Sequence, residues 1–391
     1  MSTEYSWGEI RQPLLALPPP GWLAEPTPAA EPAARRRSLL HWFGGRRRPL
    51  ASPGLDHNGL RQCLRISGGA ALGFVISQLL DSSYGVFFVV FPMFLLGVIP
   101  AVNAHVARQF IGTTAINCVE LTLVVGFLSH WPPVMTAAVF TLFAGRFALM
   151  ARGPMFLFGA HGVVSLSIML HYSSYPDTDL MNLMGQNLLA SFVAVAVALL
   201  MLQLFPDVEP RKPRARPQKS AARIRHETLL GATVATLSFA VFQVVELRDS
   251  MSAQISTVVI LFALHYPDTI HTAHKRTFGT LLGSALAVAM QLVLYSHVDN
   301  LLLVMIPLWC GLMLFARAHI LEGGASGIGF SGLTTMGILF GQYVAPDQDL
   351  LYSAFYRISS VMVALVCGLA VTALVHRLLN RFELTRTDAP S

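Results

Sequence analysis

Long apolar runs alternate with short polar segments between residues 62 and 379. A helix needs about 20 apolar residues to cross a bilayer core of ~30 Å, and most of the runs approach that length. They are continuous and rich in Leu, Ala, Val and Phe, which favours helices over membrane barrel strands. We predict twelve transmembrane helices, at 62–80, 84–103, 109–128, 133–151, 154–171, 183–205, 228–247, 252–266, 277–297, 300–317, 325–344 and 355–379.

The overall composition supports this interpretation. Hydrophobic residues make up 54% of the chain and charged residues only 12%, whereas a soluble domain carries roughly 25% charged residues. Most of the surface must therefore face the lipid bilayer rather than water. The predicted fold class is an all-α integral membrane protein.

Polar segments divide the chain into five parts. Residues 1–58 contain a triple proline and two arginine triplets, so we predict a disordered basic cytoplasmic arm. A six-helix unit at 59–206, a basic cytoplasmic linker at 207–227, a second six-helix unit at 228–380 and a cytoplasmic tail at 381–391 follow. The net charge of +6 lies at predicted membrane ends, so no nucleic-acid partner is predicted.

The distribution of charge predicts the orientation of the chain. With the amino terminus inside, the arginine triplets, the linker and Lys275 all fall on the cytoplasmic side, and most loop aspartates fall outside. Such an excess of Lys and Arg in cytoplasmic segments is the usual rule. Only Arg248 and Arg357 depart from it. Both termini are therefore predicted to be cytoplasmic.

The two six-helix units share motifs, which predicts an internal repeat. Equivalent positions are separated by 167 to 170 residues, from Gly112 to Gly279 in one motif and from Gly162 to Gly332 in another. Because six spans is an even number, both copies enter the membrane in the same orientation, as in transporters with parallel repeats and a cleft between their halves. The shared residues are Arg108, Gly112, Thr113, Asp177 and Asp179 in the first copy, and Arg276, Gly279, Thr280, Asp347 and Asp349 in the second.

Ionisable residues inside the spans are the best functional candidates, since each costs roughly 2.5–3.5 kcal/mol at mid-bilayer. Glu120 lies near the middle of the third span. It is either a proton or cation site or the partner of a buried cation. His161, between two glycines, could relay protons near neutral pH or be a hydrogen-bonded structural histidine. We assign both residues to proton coupling.

Buried arginines are candidates for binding an anionic substrate through paired hydrogen bonds. Arg146 lies toward the inner end of the fourth span, and Arg317 is its approximate counterpart in the tenth. Arg357 occupies the repeat position of Asn187. The alternatives are snorkelling to the interface for the first two, and an ion pair with an outer aspartate for Arg357. We predict a substrate site formed by Arg146, Arg317, Arg357, Asn117 and Asn187.

Motifs for enzymatic chemistry are not found in this sequence. It contains neither a phosphate-binding Gly-x-x-x-x-Gly-Lys-Ser/Thr loop nor a Gly-x-Ser-x-Gly elbow. Four residues spaced by three, His265, Asp268, His271 and His274, could line one helix face, but Pro267 interrupts it. We therefore predict no enzyme, no cofactor and no metal site.

The segment from Arg276 to Gly283, Arg-Thr-Phe-Gly-Thr-Leu-Leu-Gly, and the closing span from Arg357 to Leu379 resemble fusaric-acid-resistance and aromatic-acid-exporter proteins. The resemblance covers roughly residues 60–380. It implies proton-coupled export of aromatic or other organic carboxylates across a bacterial inner membrane. It also implies a periplasmic adaptor and an outer-membrane channel as partners, and related plant proteins are anion channels.

One departure from that family is the size of the polar segments. Many members carry large cytoplasmic domains after each six-helix unit, whereas this chain has only the linker and the tail. We expect a proton-driven inner-membrane exporter of organic anions. A passive anion channel and a non-transporting component of an envelope complex are the alternatives, and a homo-oligomer is left open.

Overall fold

The structure, a computed structural model, describes the chain in nine stretches. Statements about structure below concern these residues alone. They are 54–99, 102–175, 178–209, 219–245, 251–263, 266–294, 300–324, 327–343 and 350–387.

The described residues form α-helices joined by short connections, and no strand occurs among them. This confirms the all-helical class. A single 3-10 turn, Leu261–Ala263, follows the eighth helix. The helices are α1 His57–Leu79, α2 Gly85–Val98, α3 Ala104–Leu128, α4 Pro132–Arg152, α5 Phe156–Ser173, α6 Leu180–Leu204, α7 Ala221–Val244, α8 Met251–Ile260, α9 Tyr266–Leu294, α10 Leu301–Leu321, α11 Ile328–Tyr343 and α12 Leu350–Leu379.

Eight helices of the described chain are long and apolar enough to cross a membrane, namely α3, α4, α5, α6, α7, α9, α10 and α12. Two shorter apolar helices lie at Gly85–Val98 and Ile328–Gly341. Eight candidate spans make the chain a multi-pass membrane protein. The total of twelve spans, the parallel repeats and the cytoplasmic termini stay predictions.

Two helices, α7 and α9, begin at least seven residues earlier than the sequence predicted. α7 starts at Ala221, inside the predicted linker, because Ser220 caps its first turn by accepting a hydrogen bond from the Arg223 amide. The buried carboxylate of Glu227 is then balanced by Lys219 and by Arg223, one turn earlier. α9 starts at Tyr266 rather than at residue 277. Polar residues therefore extend both helices beyond the apolar stretch that the hydropathy pattern detects.

Burial separates inner helices from outer ones. The apolar stretch of α5 is 78% buried, whereas that of α3 is only 28% buried. In α2, twelve of the fourteen residues are buried. α8 is buried in the same way at each position whose side chain is described. α2, α5 and α8 thus line the interior of the bundle, and much of α3 faces its surroundings.

Helix packing follows a regular pattern along the chain. α1 packs on α2 and α6, and α2 packs on α6; correspondingly, α7 packs on α8 and α12, and α8 packs on α12. α3 contacts α4, α5 and α6, as α9 contacts α10, α11 and α12. Between the two sets, α4 contacts α7 and α10 contacts α1, while α5 contacts α8 and α11 contacts α2. Every one of these pairs has a counterpart six helices away.

Candidate functional site

A buried ion pair joins α3 and α4. The Nη2 atom of Arg146 lies 2.8 and 2.7 Å from the two carboxylate oxygens of Glu120. The same nitrogen lies 3.0 Å from Oδ1 of Asn117. The arginine side chain is only 7% exposed, and that of the glutamate 17%. Of the two interpretations of Glu120, the structure therefore places the carboxylate beside a buried cation.

Neighbouring side chains hold the guanidinium in place. Asn117 donates through Nδ2 to the Gly162 carbonyl at 3.1 Å, so it links α3 to α5 while accepting from Arg146. The guanidinium carbon lies 4.7 Å from the centre of the Phe158 ring, a distance typical of a cation–π contact. A Cβ atom at Gly162 would come within 2.8 Å of Nε of Arg146. The glycine thus provides the space that the arginine occupies.

Arg146 has spare hydrogen-bonding capacity. Every hydrogen bond that it makes within the described part of the chain goes through Nη2. Its Nε atom is buried without a hydrogen-bond partner there. A guanidinium presents five N–H donors in a fixed fork. Donors are therefore left over for an additional oxygen ligand.

A groove of about 390 Å³ runs along the ion pair, mostly on the surface of α4. It extends from Thr141 to Arg152, a helix length of about 16 Å at 1.5 Å per residue. Leu142, Ala148 and Leu149 give the groove apolar walls, and Gly145 leaves room between them. The described lining residues are Glu120, Thr141, Leu142, Gly145, Arg146, Ala148, Leu149 and Arg152.

His161 lies apart from this pair. Its Nε2 atom is 3.0 Å from the Thr114 hydroxyl, and it makes no hydrogen bond with Glu120. The imidazole stacks on Phe110 with ring centres 3.8 Å apart, and Phe91 meets it edge-on at 4.9 Å. This surrounding of aromatic rings matches the alternative of a structural histidine, and its role in proton coupling stays a prediction.

The other predicted substrate residues are not gathered around Arg146. Asn187 is fully buried on α6, where Oδ1 accepts a hydrogen bond from Ser165 at 3.3 Å. Arg317 is exposed on α10. The side chain that packs on Gly332 in the way that Arg146 packs on Gly162 is Phe315. The side chain of Arg357 lies outside the described residues.

Several repeat-motif residues have structural roles in the described chain. Asp179 caps α6 by accepting from the Asn182 amide at 3.0 Å, and Thr113 donates to the Gln109 carbonyl at 2.6 Å. Arg276 is buried, with Nη2 3.3 Å from the Ser256 hydroxyl. Gly279 lets α9 approach Ile328 on α11.

The remaining motif residues differ in their exposure. Arg108 is exposed and hydrogen-bonded to the Ala104 carbonyl of its own helix. Thr280 is buried, and a Cβ atom at Gly112 would meet open space. The aspartates Asp177, Asp347 and Asp349 lie outside the described residues.

Two parts of the site were missed by reasoning from sequence. Phe158 gave no signal, since an aromatic residue in an apolar run is ordinary. Arg152 was not among the predicted site residues, although its place on the same helix as Arg146 could have indicated a shared groove.

The two halves of the chain match two different protein families. Residues 62–201 match a family described as a protein of unknown function, DUF2955. Residues 229–371 match the family described as fusaric acid resistance protein-like. The second half of the chain, residues 229–371, is therefore similar to the fusaric acid resistance protein-like family. Neither the curated proteins nor the solved structures contain a match.

The two matches divide the chain between two families. The family match covers the motif from Arg276 to Gly283, on which the resemblance was based, and confirms it. The Glu120–Arg146 pair lies in the other half, within residues 62–201. The candidate site is therefore a feature of the half whose family has no described function.

Proposed function

We propose that this protein exports organic anions, aromatic carboxylates in particular, across a bacterial inner membrane, and that protonation of Glu120 controls the binding of the anion. The single observation that carries the proposal is the buried Glu120–Arg146 pair beside an open groove. A charged pair inside a membrane bundle is costly and marks ion pathways more often than plain scaffolds. The similarity of the second half to the fusaric acid resistance protein-like family supports the transport class.

A duplicated architecture is part of the proposal. The two family matches begin 167 residues apart, at 62 and 229, and end 170 residues apart, at 201 and 371. These separations equal those between the repeated motifs. The paired helix contacts fit the same duplication. We therefore propose twelve spans in two parallel six-helix copies, with both termini in the cytoplasm.

The ion pair suggests how an anion binds. In the resting state the carboxylate of Glu120 occupies Nη2 of Arg146. A proton on Glu120 removes its negative charge, and Arg146 then binds the carboxylate of a substrate through charge-assisted hydrogen bonds. Loss of the proton restores the pair and expels the anion. Since one guanidinium serves both carboxylates, one proton leaves with each anion, so export is driven by accumulation of the organic acid in the cytoplasm and the usual inward proton gradient opposes it.

The groove gives the substrate a route and selects its shape. Arg152 is exposed at one end of the groove; in the proposed orientation this end lies near the cytoplasm, where Arg152 attracts anions. The apolar walls between the two arginines suit the hydrocarbon body of an organic acid. A small inorganic anion would leave them unfilled. We propose Arg146 as the binding residue and Arg152 as the capture residue.

The experiment measures anion and proton movement in vesicles that contain the purified protein. Radiolabelled 4-hydroxybenzoate is the probe, and an enclosed dye reports pH. An imposed pH difference should drive the anion toward the less acidic side, with protons moving along. Glu120→Gln should abolish the dependence on the pH difference, and Arg146→Met should abolish flux. Arg108→Met is the control, because that exposed arginine lies outside the groove.

Two results would overturn the proposal. Undiminished pH-driven transport by Glu120→Gln would remove that residue from the mechanism. Unitary currents in planar bilayers would identify a passive anion channel instead, since a carrier gives slow and saturable flux. A periplasmic adaptor, an outer-membrane channel and a homo-oligomer are further proposals, for which co-purification is the test.

A further inference from the structure

A second cavity, of about 350 Å³, lies between α7, α8 and α12. It shares no described residue with the groove at Arg146. Its walls are mainly apolar, formed by one face each of α7 and α12 with residues spaced by three and four. None of the described residues that line it is charged. The hydroxyl-bearing residues among them are Ser238, Thr257, Tyr356, Ser359 and Ser360.

The corresponding place in the first half is closed, and two glycines explain why. A Cβ atom at Gly73 would collide with the Phe88 carbonyl of α2, and one at Gly69 with the Leu96 side chain. α1 therefore packs directly against α2. In the proposed duplication, the positions 168 residues later are Leu237 and Val241. Both residues line the cavity, and their larger side chains prevent the close approach that the two glycines allow between α1 and α2.

One polar atom in this cavity wall lacks a partner. The Ser238 hydroxyl is buried and forms no hydrogen bond within the described part of the chain. The neighbouring hydroxyls are already used, since Ser359 donates to the Tyr356 carbonyl at 2.9 Å and Thr257 to the Ala253 carbonyl at 3.1 Å. A buried hydroxyl without a partner carries a free-energy penalty. A ligand with a polar group at that point would remove it.

We propose that this cavity binds a small, uncharged and largely apolar molecule whose single polar group bonds to Ser238. Mostly apolar pockets with a few placed polar groups are typical ligand sites, and about 300 Å³ is the lower end of their size range. A charged ligand is disfavoured, because an ion buried without a partner of opposite charge is strongly destabilised. Leu237, Val241 and Val363 are 46%, 53% and 63% exposed, so the mouth opens toward lipid and the ligand enters from the bilayer.

Two native cysteines allow a direct test. Cys367 is exposed and lines the cavity, whereas Cys310 is exposed on α10 and does not. Full-length variants that keep only one of these two cysteines are placed in lipid nanodiscs and labelled with a maleimide. The probes are propyl 4-hydroxybenzoate, which is uncharged, and 4-hydroxybenzoate, which has the same ring but is ionised. The ester should slow labelling of Cys367 several-fold in a saturable manner and leave Cys310 unchanged, and the carboxylate should affect neither.

Serine variants locate the polar contact. Ser238→Ala should weaken protection by the ester about 2- to 10-fold, the usual worth of one neutral hydrogen bond. Ser359 lines the same cavity, but its hydroxyl is already hydrogen-bonded. Ser359→Ala should therefore change the protection by the ester little. Unaltered labelling of Cys310 verifies that each variant folds.

Three outcomes would overturn the proposal. They are equal protection by the ionised acid, no protection by the ester, and a Cys367 that reacts in detergent but not in nanodiscs. The last result would show that a lipid chain already fills the cavity. Labelling is measured without transport, so its result is independent of the proposed role of Glu120 and Arg146.

Discussion

His226 and His376 are hydrogen-bonded to each other, with Nε2 of the first ring 2.9 Å from Nδ1 of the second. Nδ1 of His226 lies 2.8 Å from the Thr385 carbonyl oxygen, so it must carry a hydrogen. The side-chain nitrogen of Asn380 lies 3.1 Å from Nε2 of His376 and donates to it, because the Asn380 oxygen accepts from Thr387. These contacts hold residues 381–387 against the first turns of α7.

The hydrogen-bond directions require both rings to be neutral. His376 donates from Nδ1 to Nε2 of His226, and each ring then has one donor and one acceptor nitrogen. An additional proton on either ring would set two N–H groups against each other. The docked tail therefore binds no additional proton.

Acid should release the tail. Free histidines take up a proton below about pH 6.5, so docking is complete above that pH and weakens below it, by about tenfold per pH unit for each ring that takes up a proton on release. The other charged groups around this contact are hydrogen-bonded, paired or exposed. Arg225 bonds to the Leu384 carbonyl, Glu227 is paired with Lys219 and Arg223, and Arg377, Arg381, Glu383 and Arg386 are exposed.

Amide hydrogen exchange of residues 381–387 between pH 8 and pH 5 measures this release, after correction for the intrinsic pH dependence of exchange. His130→Gln is the control, since His130 lies in the exposed turn after α3. Protection that persists at pH 5 would contradict the prediction.

Gly162→Ala should impair transport. The added Cβ would lie 2.8 Å from Nε and 2.9 Å from Cδ of Arg146, so the guanidinium must shift away from Asn117 and Glu120. Such overpacking costs about 1–3 kcal/mol. The readouts are 4-hydroxybenzoate flux in vesicles and the unfolding temperature in detergent. Gly126→Ala, on the open side of α3, should leave both unchanged or raise the unfolding temperature slightly.

Asp207→Asn should destabilise the junction between α1 and the end of α6. Arg65 is 1% exposed, donates from Nε to the Phe205 carbonyl at 2.7 Å and pairs through Nη2 with Asp207 at 2.8 Å. Removing the carboxylate charge leaves a buried guanidinium less well balanced, at a cost of about 1–3 kcal/mol. Thermal unfolding in detergent measures the loss.

Glu209→Gln is the matched control for that change, because only the backbone of Glu209 contacts Asn58. Equal unfolding temperatures for the two variants would show that the charge of Asp207 contributes little.

Much of the fold followed from local pattern, because hydropathy is read residue by residue. The predicted spans coincide with the helices to within a few residues at α4, α5, α6 and α10. The predicted starts of α7 and α9 were wrong, because polar residues extend these helices back to Ala221 and Tyr266 and give no hydropathy signal. The motif from Arg276 to Gly283 was enough to indicate the family.

The sequence by itself determined that the chain is helical, embedded in lipid and equipped with a few costly charges. Only the tertiary structure decided which charges meet. Arg146 could have extended to the membrane interface, and Arg317 looked equivalent to it. Helix rotation and close packing at Gly162 join Arg146 to Glu120, and they put Phe315 rather than Arg317 at Gly332. The partners of a side chain depend on how distant segments pack, and no local pattern contains that information.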